Sequence, residues 1–202
     1  VTPARPFTRA EATAFLAFAD SVLALPPSRP WIERHPGRGR VVLRFALTLA
    51  MAAPQNRSRH AQGWQMARER SSVLSAMAGQ LAWQVTVRGP DGVFAVPMQL
   101  GWCKHGRGII PTWPAPLTGR PMVRAIRFSS VAPDPTAAWH KCAIDCLRVP
   151  RQRAGKLVPG LGVLVDDRPA LLELREWHEP APKGQGGAII EVWTGEEMTD
   201  VR

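Results

Sequence analysis

The sequence predicts an α+β (or α/β) domain preceded by an extra N-terminal helix. Three observations predict it. Val123-Arg124-Ala125-Ile126-Arg127-Phe128-Ser129-Ser130-Val131 alternates apolar and polar residues as a half-buried strand does. Trp139, Cys142, Ala143, Cys146 and Leu147 recur at helical spacing and form one apolar stripe. The order along the chain is strand, helix, hairpin, strand, helix and two strands, the mixture expected of an α+β or α/β domain.

Taken in order, Thr8-Arg9-Ala10-Glu11 is a capping-box pattern before a periodic apolar run, so residues 9–25 read as an amphipathic helix. Leu25-Pro26-Pro27-Ser28 stops it, and the Pro-, Gly- and Arg-rich stretch to residue 39 reads as a linker. The expected division is 1–38, helix and linker, and 39–202, main domain. Val41 to Met51 is a strand candidate, followed by the basic loop Gln55-Asn56-Arg57-Ser58-Arg59-His60. A helix runs from about Trp64 to Gln80, with Met66, Val73, Leu74 and Met77 inward and Arg68 and Arg70 elsewhere. Trp83 to Val87 and Val93 to Val96 read as a hairpin around Gly89-Pro90-Asp91-Gly92. Trp102 to Gly119 reads as loop, with five glycines or prolines between Gly106 and Pro116. The strand at 123–131 is expected to show one apolar face. A helix from about Thr136 to Arg148, a basic loop at 151–156 and a short apolar run from Leu161 to Val165 come next. Strands at 170–177 and 188–193, joined by a turn, close the domain.

Composition narrows the function classes. With 202 residues and 45% hydrophobic content, the chain can bury a sizeable core. No run approaches the ~20 apolar residues of a membrane span. Three cysteines without C-x-x-C spacing indicate neither a disulfide framework nor a zinc ribbon, which fits a reducing, cytoplasmic compartment. The first residue is Val1, which fits a trimmed or partial N-terminus. The formal net charge of +10 points to a polyanionic partner such as nucleic acid; a generally basic protein is the plainer alternative.

Against that charge, four acids stand out: Asp134, Asp145, and the adjacent pair Asp166-Asp167 where an apolar run stops. Phosphodiester hydrolysis requires an activated water and a stabilised leaving oxyanion. Mg²⁺ held by one to three carboxylates supplies both. Asp134, Asp166 and Asp167 are candidate metal ligands on that chemistry. Ahead of a helix, Asp134 is equally a candidate N-cap, and Asp166-Asp167-Arg168-Pro169 equally a turn. Lys141 is a candidate phosphate-positioning or charge-stabilising residue; alternatively it makes an exposed i,i+4 pair with Asp145 worth ~0.3 kcal/mol. Cys142 and Cys146 fall in the apolar stripe, which assigns them to packing. His140 is a proton carrier or a packed residue. Asn56, Arg57, Arg59, His60 and Trp64 have the composition of a phosphate-contact and base-stacking surface, or of a solvated basic loop.

Residues 40–193 resemble the RusA family of Holliday junction resolvases, in particular divergent phage-type members. Four ordered segments carry the resemblance: Pro54-Gln55-Asn56-Arg57 with His60, Trp64 and Ala67-Arg68; Val123-Arg124-Ala125-Ile126-Arg127-Phe128; Lys141-Cys142-Ala143-Ile144-Asp145-Cys146-Leu147; and Gly162-Val163-Leu164-Val165-Asp166-Asp167 before two closing strands. The resemblance implies a small mixed sheet packed by two helices. It implies a homodimeric, Mg²⁺-dependent endodeoxyribonuclease that cuts four-way DNA junctions in recombination and repair. Asp166 and Asp167 would stand at the metal, Lys141 would be the catalytic lysine, and Asn56, Arg57, Arg59 and His60 would lie near DNA. The chain departs from the family where Asp-x-Asp-Asn is usual. It has Asp134-Pro135-Thr136-Ala137-Ala138, with Asp134 about one residue out of register and the second acid and the asparagine missing. That departure sets two rivals beside the nuclease: a catalytically degenerate DNA-binding module of the same fold, and a basic protein-interaction domain.

Overall fold

The computed structural model describes residues 5–24, 41–52, 63–84, 100–105, 108–134 and 138–193. Its centre is a four-stranded mixed sheet of β1 (Val41–Thr48), β8 (Gly187–Trp193), β4 (Met122–Ser129) and β7 (Glu173–Pro180), in that order. β1 and β4 run antiparallel to β8, and β7 runs parallel to β4. The class is α+β, as the sequence predicts.

The expectation of one apolar face on the 123–131 strand is corrected. β4 is buried along almost its whole length, on both faces. Val123 and Ala125 join the core under α2 (Gly63–Gln84) and α3 (Lys141–Leu147). Ile126 and Phe128 face the opposite way, under α1 (Arg9–Ala24). A strand buried on both faces reads as a near-continuous apolar run, and Ala188-Ile189-Ile190 of β8 does. In β4 the pattern is interrupted by Arg124, which stays buried by pairing. Its Nη1 lies 3.3 Å from Glu191 Oε2, and its guanidinium sits over the rings of Trp177 and Trp193.

The expected capping box forms. Thr8 N–H donates to Glu11 Oε2 at 2.7 Å, and Glu11 N–H donates to Thr8 Oγ1 at 3.3 Å. Helix α1 then buries Ala12, Phe15 and Ala19 against Ala46, Ile126, Phe128 and Ile189. Phe15 meets Phe128 edge-on with centroids 5.6 Å apart. Gly187 makes room for it, since a Cβ there would lie 2.6 Å from Phe15 Cζ. Asp20 holds Arg44 of β1 through two hydrogen bonds of 2.7 and 3.1 Å. The boundary expected near residue 38 therefore separates a helix from the sheet it covers.

Helix α2 buries Val73, Leu74, Met77, Ala78 and Leu81 on the other face. It runs through Gln84, four residues beyond the expected end, so Trp83 and Gln84 are helical rather than the start of a strand. The rest of the expected hairpin, 85–99, lies outside the described residues. Gln80 has a particular task. Its side-chain oxygen accepts from Ala46 N–H at 2.8 Å and its amide donates to Ala46 C=O at 2.6 Å. Among the described residues β1 is an edge strand, and one side chain here satisfies the outward main-chain pair at its centre.

Three further expectations change. The expected loop at 102–119 contains a hairpin, β2 (Gly101–His105) with β3 (Gly108–Thr112). Its glycines and prolines hid the pattern; Pro111 is tolerated because β3 pairs on only one side among the described residues. The basic loop at 151–156 is also a hairpin, β5 (Arg151–Arg153) with β6 (Lys156–Val158). The short apolar run 161–165 makes a single parallel bridge, Leu164 with Arg148. Finally, β7 and β8 do not pair with each other. β4 lies between them, and the connection 181–186 crosses the end of β4, where Ala181 N–H donates to Ser129 C=O at 3.2 Å.

Replacing Gln80 by leucine should strand two buried main-chain groups of Ala46. At about 1–3 kcal/mol each, chemical denaturation should show a loss of about 2–6 kcal/mol. A loss no larger than that of a surface substitution would remove this role from Gln80.

Candidate functional site

Helix α3 is shorter than expected and begins at Lys141, with His140 in the capping position and no side-chain cap. Asp134 lies in the segment before it, exposed, and is not its N-cap. The carbonyls at the C-terminal end of a helix need partners, and the returning chain supplies them. Leu161 N–H donates to Cys146 C=O at 2.8 Å, Gly162 N–H to Arg148 C=O at 3.1 Å, and Val163 N–H to Leu147 C=O at 2.8 Å. Gly160 is required by this approach, because a Cβ would lie 2.1 Å from Arg148 C=O. Leu161, Val163 and Leu164 are buried, and the chain emerges beside α3 at Asp166-Asp167.

Three acids and three bases meet there. Arg148 is the hub: Nη2 lies 2.8 Å from Asp166 Oδ1, and Nη1 lies 2.7 Å from Asp167 Oδ1 and 3.2 Å from Asp145 Oδ1. Arg168 Nε lies 2.6 Å from Asp166 Oδ2. Lys141 Nζ lies 3.4 Å from Asp167 Oδ2 and 3.8 Å from Asp145 Oδ1. Asp167 N–H donates to Asp166 Oδ1 at 2.9 Å. The Arg168 bond, that amide and Arg148 hold the Asp166 carboxyl well below the usual carboxylate range. Arg148 exposes only 11% of its side chain, whereas Lys141 exposes 51%.

Lys141 and Asp167 also line a pocket of about 360 Å³, with Arg120, His140, Glu173 and Leu174 among the other walls. His140 Nδ1 sits 2.5 Å from Glu176 Oε2 but off the line of a hydrogen bond. Burial outweighs Glu176 and holds the imidazole below its ordinary pKa, with Lys141 acting in the same direction. His140 is therefore a largely buried, neutral wall residue at neutral pH. Cys146 is buried and Cys142 half-buried against the core, which is the packing role expected of them.

The structure thus brings together Lys141, Asp166 and Asp167. It adds Asp145, Arg148 and Arg168. The signal for Arg148 was its i+7 position from Lys141 and i+3 position from Asp145, on one helix face; nothing in the sequence indicates that it reaches the Asp166-Asp167 pair. Arg70, expected to point away, donates instead to Asp145 C=O at 3.1 Å and Pro159 C=O at 2.8 Å. Asn56, Arg57, Arg59 and His60 lie outside the described residues. Trp64 falls in the first turn of α2.

The donor set does not match a ready Mg²⁺ site. All four oxygens of Asp166 and Asp167 already face a guanidinium or ammonium. Three formal negative charges meet three positive ones. A hard cation bound by few carboxylates depends on each of them. Among the described residues no three His, Cys, Asp or Glu side chains are grouped to hold a metal ion.

Arg148→Met should destabilise the fold by about 3 kcal/mol at neutral pH, because it leaves partly buried carboxylates facing one another; urea unfolding reads this directly. Asp166 has a depressed folded pKa, so its stabilisation is complete above the ordinary aspartate pKa of about 4 and is lost as pH falls through the folded value. The melting-temperature gap between the native chain and Asp166→Asn should accordingly be full at pH 7 and shrink steadily below about pH 4. A gap independent of pH would contradict the pairing. No protein-family model, curated protein sequence or solved structure matches this chain.

Proposed function

We propose that the protein binds branched DNA, as a module of the RusA resolvase type whose acidic cluster is neutralised from within. One observation carries this reading. Where the resemblance places a metal-bound Asp-Asp pair and a catalytic lysine, Arg148 bridges the two aspartates and Lys141 rests on Asp167. The net charge of +10 supports a polyanionic partner. The loss of Asp-x-Asp-Asn fits a site that has exchanged an inorganic cation for a side chain.

A second reading keeps the nuclease. Lys141, half exposed, and Asp167 open together on the 360 Å³ pocket, where a phosphate has access to both. On that reading Asp134, Asp166 and Asp167 hold Mg²⁺, and a homodimer cuts both sides of a junction.

A labelled four-way junction and a matched duplex, each with Mg²⁺ and with EDTA, separate the readings. The expected result is junction binding that weakens as salt rises, with no EDTA-sensitive cleavage. Paired nicks abolished by EDTA would establish the nuclease instead. No DNA affinity at moderate salt would leave an acidic protein partner. Mg²⁺ should raise the melting temperature of Arg148→Met, whose carboxylates are released, and leave the native chain unchanged.

A further inference from the structure

We propose that the β5–β6 hairpin is a second DNA-contacting element, a two-stranded ribbon that enters the major groove of a B-form duplex arm. The proposal rests on the DNA-binding reading above and adds to it a surface outside the acid–base cluster.

Among the described residues the hairpin has no element packed over it. Residues 151–157 are all exposed, on both faces of the ribbon, and only Val158 begins to be covered. Two three-residue strands and a two-residue turn bury too little to hold themselves together, so the shape must be fixed elsewhere. The turn does part of this: Ala154 and Gly155 both have positive φ, 49° and 73°, the pairing that matches strand twist in tight hairpins. The base does the rest. Val149 N–H donates to Leu164 C=O at 2.9 Å, Leu161 and Gly162 are bonded to the end of α3, and Arg70 of α2 grips Pro159 C=O at 2.8 Å. A rigid base carries a bare tip.

The tip is basic. Arg153 and Lys156 stand directly opposite each other, with Arg151 at the base. Like charges facing across a ribbon are destabilising. Among the described residues no carboxylate pairs with Arg151, Arg153 or Lys156, although Asp145, Asp166 and Asp167 lie close to the hairpin's base in the chain. An anion from outside would relieve that repulsion. At about 3.3 Å per residue the ribbon projects roughly 10 Å. A B-DNA major groove is about 12 Å wide and 8.5 Å deep and admits a two-stranded ribbon. Its phosphate walls would meet the arginines and the lysine, and Leu157, exposed at the side, would face the base edges.

The test uses the full chain and a fluorescent DNA junction with duplex arms, with affinity measured over a range of salt. Two variants are compared with the native protein. One replaces Arg151, Arg153 and Lys156 by glutamine. The other, Gly155→Pro, keeps every charge but denies the turn its positive φ. Lys183→Gln, on the exposed β7–β8 connection, is the control for charge alone. The triple variant should lose affinity about tenfold or more, and its salt slope should fall by up to about 2.7, from ~0.9 per phosphate contact. Gly155→Pro should also weaken binding, with an unchanged melting temperature. If both variants bind like the native chain, the hairpin is not a contact and the DNA reading stands without it. If Gly155→Pro alone binds normally, diffuse charge replaces the ribbon. If the native chain binds no DNA, both proposals fall.

Discussion

Everything in this fold follows from a strand that has no solvent face. β4 is flanked by β8 and β7 and covered above and below. Each side chain on it must find an apolar neighbour or a partner. Ile126 and Phe128 therefore require α1, and Val123 and Ala125 require α2 and α3. Arg124 requires Glu191 at 3.3 Å and two indole faces. The same burial decides the path of the chain: β7 and β8 enclose β4 instead of pairing with each other, so their connection must cross its end.

The sequence conveys element type better than neighbourhood. The capping box, α1, α2, β1, β4 and β8 follow from local pattern, because capping and periodicity are local physics. The 123–131 segment illustrates the limit. Its arginines suggest a half-exposed strand, and only tertiary partners, such as Glu191 and two indole rings for Arg124, reveal that both faces are buried. The two small hairpins were illegible for opposite reasons. β2–β3 is rich in glycine and proline, and β5–β6 is short and polar apart from Leu157 and Val158. At the candidate site, Lys141, Asp166 and Asp167 were legible as chemistry, while the reach of Arg148 across to the aspartates was not. That contact joins residues eighteen or more positions apart, brought together by main-chain bonds at the end of α3.

The cluster built there is balanced rather than poised. A site prepared for an inorganic cation has an excess of negative charge. Here a guanidinium with little freedom occupies the space between two carboxylates, and it is part of the chain. Arg148 is also the residue whose carbonyl receives the returning segment through Gly162. Charge neutralisation and backbone closure thus meet in one residue, so the cluster also organises the route from α3 to β7.

Gln80 has a consequence for assembly. By occupying the outward N–H and C=O of Ala46, it blocks one side of the sheet at mid-strand. The other side, β7, keeps its outer edge free of strand partners among the described residues. A sheet with one usable edge cannot grow into a fibre. Any edge-to-edge pairing of this sheet would consume both open sides and stop at two copies.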